Sequence, residues 1–228
     1  MGSAGVSSGV MGELRLTAIG IGELRALFAG SPAIEEHLRS VAAQAWPPAP
    51  PPTRAPLLGK IGPLTRLPPD APVTRPDVPN AADLRDVAHG RFVKPDRLAA
   101  AWALVRVWLD ACGWPSLALT LDERAINDLD FELSTGGVET RFALRRLLND
   151  KLSLPLRNAS GQVTGYVPFE QALALREAWR PALPTLSAHN VATAQHIVGW
   201  LGGLESWADY ARRAGMRPPD LVASFTQA

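Results

Sequence analysis

Cysteine is almost missing from this chain of 228 residues, where Cys112 stands alone. One thiol can form neither an intramolecular disulfide nor a cysteine-rich zinc site, so the fold must rest on a hydrophobic core, which a chain of this length can bury unaided. Net charge is equally scarce. Lys and Arg total 23 against 22 Asp and Glu, a formal charge of +1. That balance removes the simplest electrostatic case for a nucleic-acid or anionic-membrane partner. No window reaches about 18 uninterrupted apolar residues, and Met1 to Val10 lacks the basic flank and apolar run of a secretory leader. The chain therefore reads as cytoplasmic, with no membrane association. Lysine is rare, 3 residues against 20 arginines, a bias that fits a GC-rich bacterial genome.

What is present divides the chain into four stretches. Residues 1–12 read as a disordered N-terminus, and 13–46 as a strand plus two helices belonging to the main domain. Residues 47–80 form a proline-rich extended segment, and 81–228 a helix-rich main domain with antiparallel strands. In the first structured stretch, Leu14, Leu16 and Ala18 alternate with Arg15, Thr17 and Ile19, the pattern of a short strand. Gly20 and Gly22 then turn the chain into a helix from Glu23 to Ala29, and Ser31 followed by Pro32 opens a second helix to about Trp46. Between Pro47 and Asn80, 12 of 34 residues are proline, which excludes regular hydrogen-bonded structure. Its apolar centre, Leu57, Leu58, Ile61, Leu64 and Leu67, predicts an extended segment packed along the domain.

Beyond Asn80 helices are expected over Ala81–His89 and Pro95–Cys112. In the second of these, Leu98, Trp102, Val105 and Leu109 form an apolar stripe that Ala101, Leu104 and Trp108 widen into a core helix. Leu117–Leu121 reads as a buried strand. Asp128–Ser134 reads as a second one, with Leu129, Phe131 and Leu133 on one face and Asp128, Asp130 and Glu132 on the other. A helix over Val138–Leu152, a hairpin of Leu154–Arg157 with Gln162–Val167, and helices over Pro168–Trp179, Ala188–Leu201 and Leu204–Ala214 complete the reading. The sum is α+β: a helix-rich single globular domain with a few short antiparallel strands and a proline-rich extended segment.

Candidate chemistry is sparse. Gly5-Val6-Ser7-Ser8-Gly9 spells G-x-S-x-G, but a nucleophile elbow needs a hydrophobic strand before it, and none precedes Ser7. Gly20-Ile21-Gly22 sits where a phosphate-binding turn belongs, yet Arg25 stands where the dinucleotide fingerprint needs a third glycine. His189 and His196 lie about 10.5 Å apart along one predicted helix, too far to share a metal whose ligands sit about 2 Å away. His37 and His89 stand alone. Cys112, at a helix C-terminus and on the apolar stripe, is expected to be buried and inert. Arg141, Arg145 and Arg146 read as a salt-bridged helix edge beside Glu139 and Asp150. Trp102 and Trp108 read as core, whereas Trp46, Trp179, Trp200 and Trp207 read as partly exposed anchors. The one dense carboxylate group is Asp128, Asp130 and Glu132, with Asp122 and Glu123 just upstream. Such a group is an acidic contact surface for a basic protein partner, a solvated face, or a divalent-cation site.

The segment Leu14 to Val41, with Ile19-Gly20-Ile21-Gly22 leading into Glu23-Leu24-Arg25-Ala26-Leu27-Phe28, resembles the opening of small bacterial YfbM-like proteins of unknown function. Gly90-Arg91-Phe92-Val93 with Leu98 to Leu109 is similar to them as well. The resemblance implies a binding role akin to immunity and toxin-neutralising proteins and transfers no functional residue. The reading is therefore a non-catalytic protein-binding module, an immunity or antitoxin-like inhibitor, with Asp122, Glu123, Asp128, Asp130 and Glu132 as the partner-binding residues and no cofactor or metal. Its rival is an enzyme assembled from distant residues, such as a metal-assisted hydrolase using Asp128, Asp130 and Glu132.

Overall fold

A computed structural model describes residues 10–47 and 76–227, so the reading of 48–75 and of the first nine residues lies outside the described chain. Its centre is an antiparallel sheet of four strands, β1 (Met11–Ile19), β2 (Leu117–Asp122), β3 (Gln162–Val167) and β4 (Asp220–Gln227), in the order β2-β1-β4-β3. Among the described residues the first and last strands are the two inner ones, paired over Gly12↔Gln227 to Ile19↔Asp220.

Because side chains alternate along each strand, this register sorts the sheet into two unlike faces. One face carries the rungs Leu119–Leu14–Phe225–Val163 and Leu117–Leu16–Ala223–Gly165, then Ala18–Leu221–Val167. It packs these rungs, all but the exposed Val163 at the sheet edge, against α5 (Glu123–Thr135), α6 (Leu144–Asn149), α7 (Phe169–Trp179), α8 (Ala188–Leu201) and α9 (Leu204–Arg213). The other face packs Ile19, Val222 and Tyr166 against α1 (Ile21–Ala26), α2 (Pro32–Ala45), α3 (Ala81–Ala88) and α4 (Leu98–Cys112). The fold is an α+β domain with one antiparallel sheet between two helical layers. Among the described residues no helix is long and apolar enough to cross a membrane.

Several expectations hold. The strand at Leu14–Ile19, the helices following Pro32, Asn80, Pro168, Ser187 and Gly203, and the core helix α4 with Trp102 and Trp108 buried are all present. Trp102 also donates its indole N–H to the Arg157 carbonyl at 2.8 Å. Asn80 caps α3 through a reciprocal pair with Asp83, whose buried carboxylate also receives Arg97.

Others need correction. Asp128–Ser134 is not a strand but the second half of helix α5. Ile126, Leu129 and Leu133, at helical spacing, are its buried residues, and Phe131, which completed the apparent alternation, is 73% exposed. Leu154–Arg157 forms no strand, so β3 has no hairpin partner there and pairs with β4 instead. The helix expected over Val138–Leu152 contracts to a short 3-10 turn and α6. Trp179 is fully buried and donates to the Phe142 carbonyl at 2.8 Å, rather than anchoring a surface. Gly165 explains how α6 comes so close to β3. A Cβ there would collide with the Leu147 carbonyl oxygen.

Two substitutions check this packing by chemical denaturation. Trp102→Ala removes a large buried ring together with its hydrogen bond and should cost about 3 to 5 kcal/mol. Gly165→Ala should cost about 1 to 3 kcal/mol by driving α6 off the sheet; a loss within about 0.5 kcal/mol would mean that α6 does not sit on this glycine.

Candidate functional site

The acidic residues come apart once α5 is a helix. At 100° per residue Asp128 and Glu132 share a side, and Asp130 lies nearly opposite. Asp122 accepts from the Ala125 N–H at 2.6 Å and starts α5. Asp130 accepts from the N–H groups of Leu144 and Arg145 at 2.6 and 2.9 Å and starts α6. Glu132 accepts from Ser187 N–H at 2.8 Å, at the N-cap of α8. Only Asp128, in a long contact of 3.6 Å with Arg124, and Glu123 remain as exposed carboxylates of the group. Burial pushes the Asp130 carboxyl up against the pull of its two N–H donors. The Ser187 N–H holds the Glu132 carboxyl below its ordinary range.

Asp220, at the start of β4, does the same for two further helices. Its carboxylate accepts from Ile21 N–H at 3.1 Å and from Phe169 N–H at 3.0 Å. The Gly20-Ile21-Gly22 turn therefore presents its helix N-terminus to the protein's own carboxylate, which takes the place a phosphate would have.

The remaining candidates fall into ordinary roles. All four histidines are exposed, with His89 Nε2 3.1 Å from Glu35. Cys112 is half-buried, 3.7 Å from His37 Nε2, and burial followed by Glu23 raises its thiol pKa. Arg141 and Arg146 pair with Glu139 and Asp150. Trp200 and Trp207 join Trp114 in a partly buried aromatic cluster. Among the described residues no group of three or more His, Cys, Asp or Glu is placed to hold a metal ion.

The site that sequence reasoning missed lies on the α4 side of the sheet. Below the apolar contacts of Ile19 and Val222, two successive rungs are wholly polar across the three strands: Arg15–Ser224–Thr164 and Glu13–Thr226–Gln162. Helix α4 passes over them with Ala99, Trp102, Ala103, Arg106 and Val107, leaving a cleft of about 410 Å³ that Trp46 and Asp77 also line. The cations are paired: Arg15 meets Asp110 at 2.6 Å, and both Arg15 and Arg106 meet Glu13, at 3.4 and 3.2 Å. The hydroxyls are not. Ser224, Thr226 and Ser160 make no side-chain hydrogen bond to any described residue, whereas Thr164 donates to Asn158 at 2.9 Å. The sequence signal was Arg15 and Glu13 alternating with Leu14 and Leu16, but its partners lay on β4, a strand not foreseen.

Fold and cleft together define an α+β domain with a polar recess between a helix and its sheet. The family model described as a domain of unknown function, DUF7691, matches residues 69–226, and the chain belongs to that family. No curated protein and no solved structure matches it.

The Glu132 and Asp130 caps make folding stability depend on pH in opposite directions. A carboxyl whose folded pKa is depressed adds stability above its unfolded value, about 4.3, and loses it as pH falls. Replacing Glu132 by Gln should flatten the fall in stability below that pH. Asp130 has the opposite sign, so Asp130→Asn should remove a decline in stability as pH rises from about 4. Equal slopes in wild type and both variants, from denaturation at pH 3 to 6, would contradict these roles.

Proposed function

We propose that the domain is a non-catalytic binding module and that the cleft under α4 is its recognition site. One observation carries this reading: on two polar rungs covered by a helix, the hydroxyls of Ser224 and Thr226 find no side-chain partner among the described residues. Folding alone favours apolar residues at such positions, and departures from that rule gather at functional sites. Pockets of this size, largely apolar with a few converging polar groups, are the usual form of a ligand site. The titratable groups with shifted pKa, Cys112, Asp130, Glu132, Tyr166 and Glu205 among them, do not line the cleft. That separation supports binding over acid-base chemistry. A cytoplasmic setting belongs to the same proposal and is supported by the lone cysteine.

A second reading is favoured by Phe131. This ring, 73% exposed on α5, stands on the helix that also displays Asp128 and Glu123. An apolar anchor beside carboxylates suits a protein partner with a basic surface, the immunity or antitoxin-like role that the resemblance to YfbM-like proteins implies.

The cleft reading is tested without any ligand. Thr226→Val with Ser224→Ala adds no side-chain bulk and removes two hydroxyls that have no partner among the described residues. Stability should stay level or rise by up to about 1 kcal/mol, as commonly happens when a functional site is made to fit the fold. A loss above about 1 kcal/mol in urea unfolding would make the hydroxyls structural and remove the reason for this assignment.

A further inference from the structure

We infer that the cleft under α4 takes an uncharged, hydroxyl-rich ring compound, in chemical class a pyranoside or the sugar of a nucleoside. The inference rests on the cleft being the binding site, as proposed above, and adds what binds there.

Charge comes first. The two guanidinium groups that line the cleft, Arg15 and Arg106, are held by Glu13 and Asp110 at 2.6 to 3.4 Å. An anionic ligand would have to displace one of those carboxylates and strand it. A cationic ligand finds only Asp77, at the exposed rim. The ligand is neutral.

Hydrogen bonding comes next. Ser224 and Thr226 are hydroxyls with no partner among the described residues, and Thr164, which donates to Asn158, retains acceptor capacity. Hydroxyls donate and accept at once, so the group that satisfies a row of them is another set of hydroxyls. Neighbouring strands place Ser224 and Thr164 about 4.8 Å apart, and successive rungs are about 6.5 to 7 Å apart, spacings that one sugar ring with its substituents bridges. A wholly apolar ligand would leave these hydroxyls buried and unpaired.

The walls supply the third constraint. Trp46, Trp102, Ala99 and Ala103 present apolar surface to the recess, and the C–H face of a sugar ring packs on such surface while its hydroxyls turn to the floor. An extended peptide is served less well, because its backbone groups pair at a sheet edge and this floor is a sheet face.

The test is saturation-transfer NMR on the full chain. One arm uses the methyl glycosides of glucose, galactose, mannose and N-acetylglucosamine, the other adenosine and uridine, with benzoate and a proline-rich peptide as anion and peptide controls. We expect transfer to ring protons in one of the two arms, and the arm that responds tells free saccharide from nucleoside. Thr226→Val and Ser224→Ala should each weaken binding about fivefold to tenfold, the worth of one hydrogen bond. Trp46→Ala should abolish it, and the remote His189→Ala should leave it unchanged.

Silence in both arms, binding of benzoate or the peptide alone, or equal binding by wild type and the floor variants would overturn the inference. If the two floor variants are as stable as wild type or more so while neither arm responds, the cleft stays a binding site and only the ligand class falls. If they are destabilised, the reading beneath falls first.

Discussion

The pairing of the first strand with the last is the constraint on which the rest of this structure depends. β1 and β4 run antiparallel over eight residue pairs, and both outer strands attach to them, β2 to β1 and β3 to β4. Both helical layers are built against this pair, one on Leu14, Leu16, Leu221 and Phe225, the other on Ile19 and Val222. The paired residues are far apart in sequence, so this pairing carries a loop-closure cost, and the sheet contacts of the two layers are complete only once it has formed.

Carboxylates reinforce that arrangement. Asp220 sits at the start of β4 and ties the first turns of α1 and α7 to it, while Asp122, Asp130 and Glu132 serve α5, α6 and α8. Helix N-termini carry unpaired N–H groups and partial positive charge, and a carboxylate answers both. Three of the five residues that suggested an acidic binding face are thus engaged within the fold. The hydrophobic layers and the caps made by Asp130, Glu132 and Asp220 share one geometry, because each of these carboxylates joins a helix to another element, whereas Asp122 caps its own helix.

How much of this was legible follows from the signals themselves. Helices with strong stops and starts, Pro32, Asn80, Ser187 and Gly215, were readable because capping chemistry is local. So was β1, whose alternation reflects a sheet apolar on one side and partly polar on the other. Helix α5 misled because Leu129, Phe131 and Leu133 mimic a strand; extending the window back to Ile126 and Asp122 restores the helical spacing and its cap. β4 escaped because Leu221, Val222 and Ala223 are all buried, which erases alternation. Its cue was the run of Val222, Phe225 and Thr226 after Pro218-Pro219. The cleft was illegible for the same reason, since its floor exists only when Arg15, Ser224 and Thr164 meet across three strands.

The sheet therefore divides its labour: one face and half of the other hold the domain together, and the remaining half is the polar floor of the cleft under α4. That division requires β1 and β4 to be the most protected part of the chain. Native-state hydrogen exchange, read peptide by peptide, measures this directly. The account predicts that the paired amides of residues 12–19 and 220–227 exchange only through global unfolding, with the same free energy and the same denaturant dependence. Faster, denaturant-independent exchange of β1 while β4 stays protected would show that the first strand is an accessory, and would contradict the account.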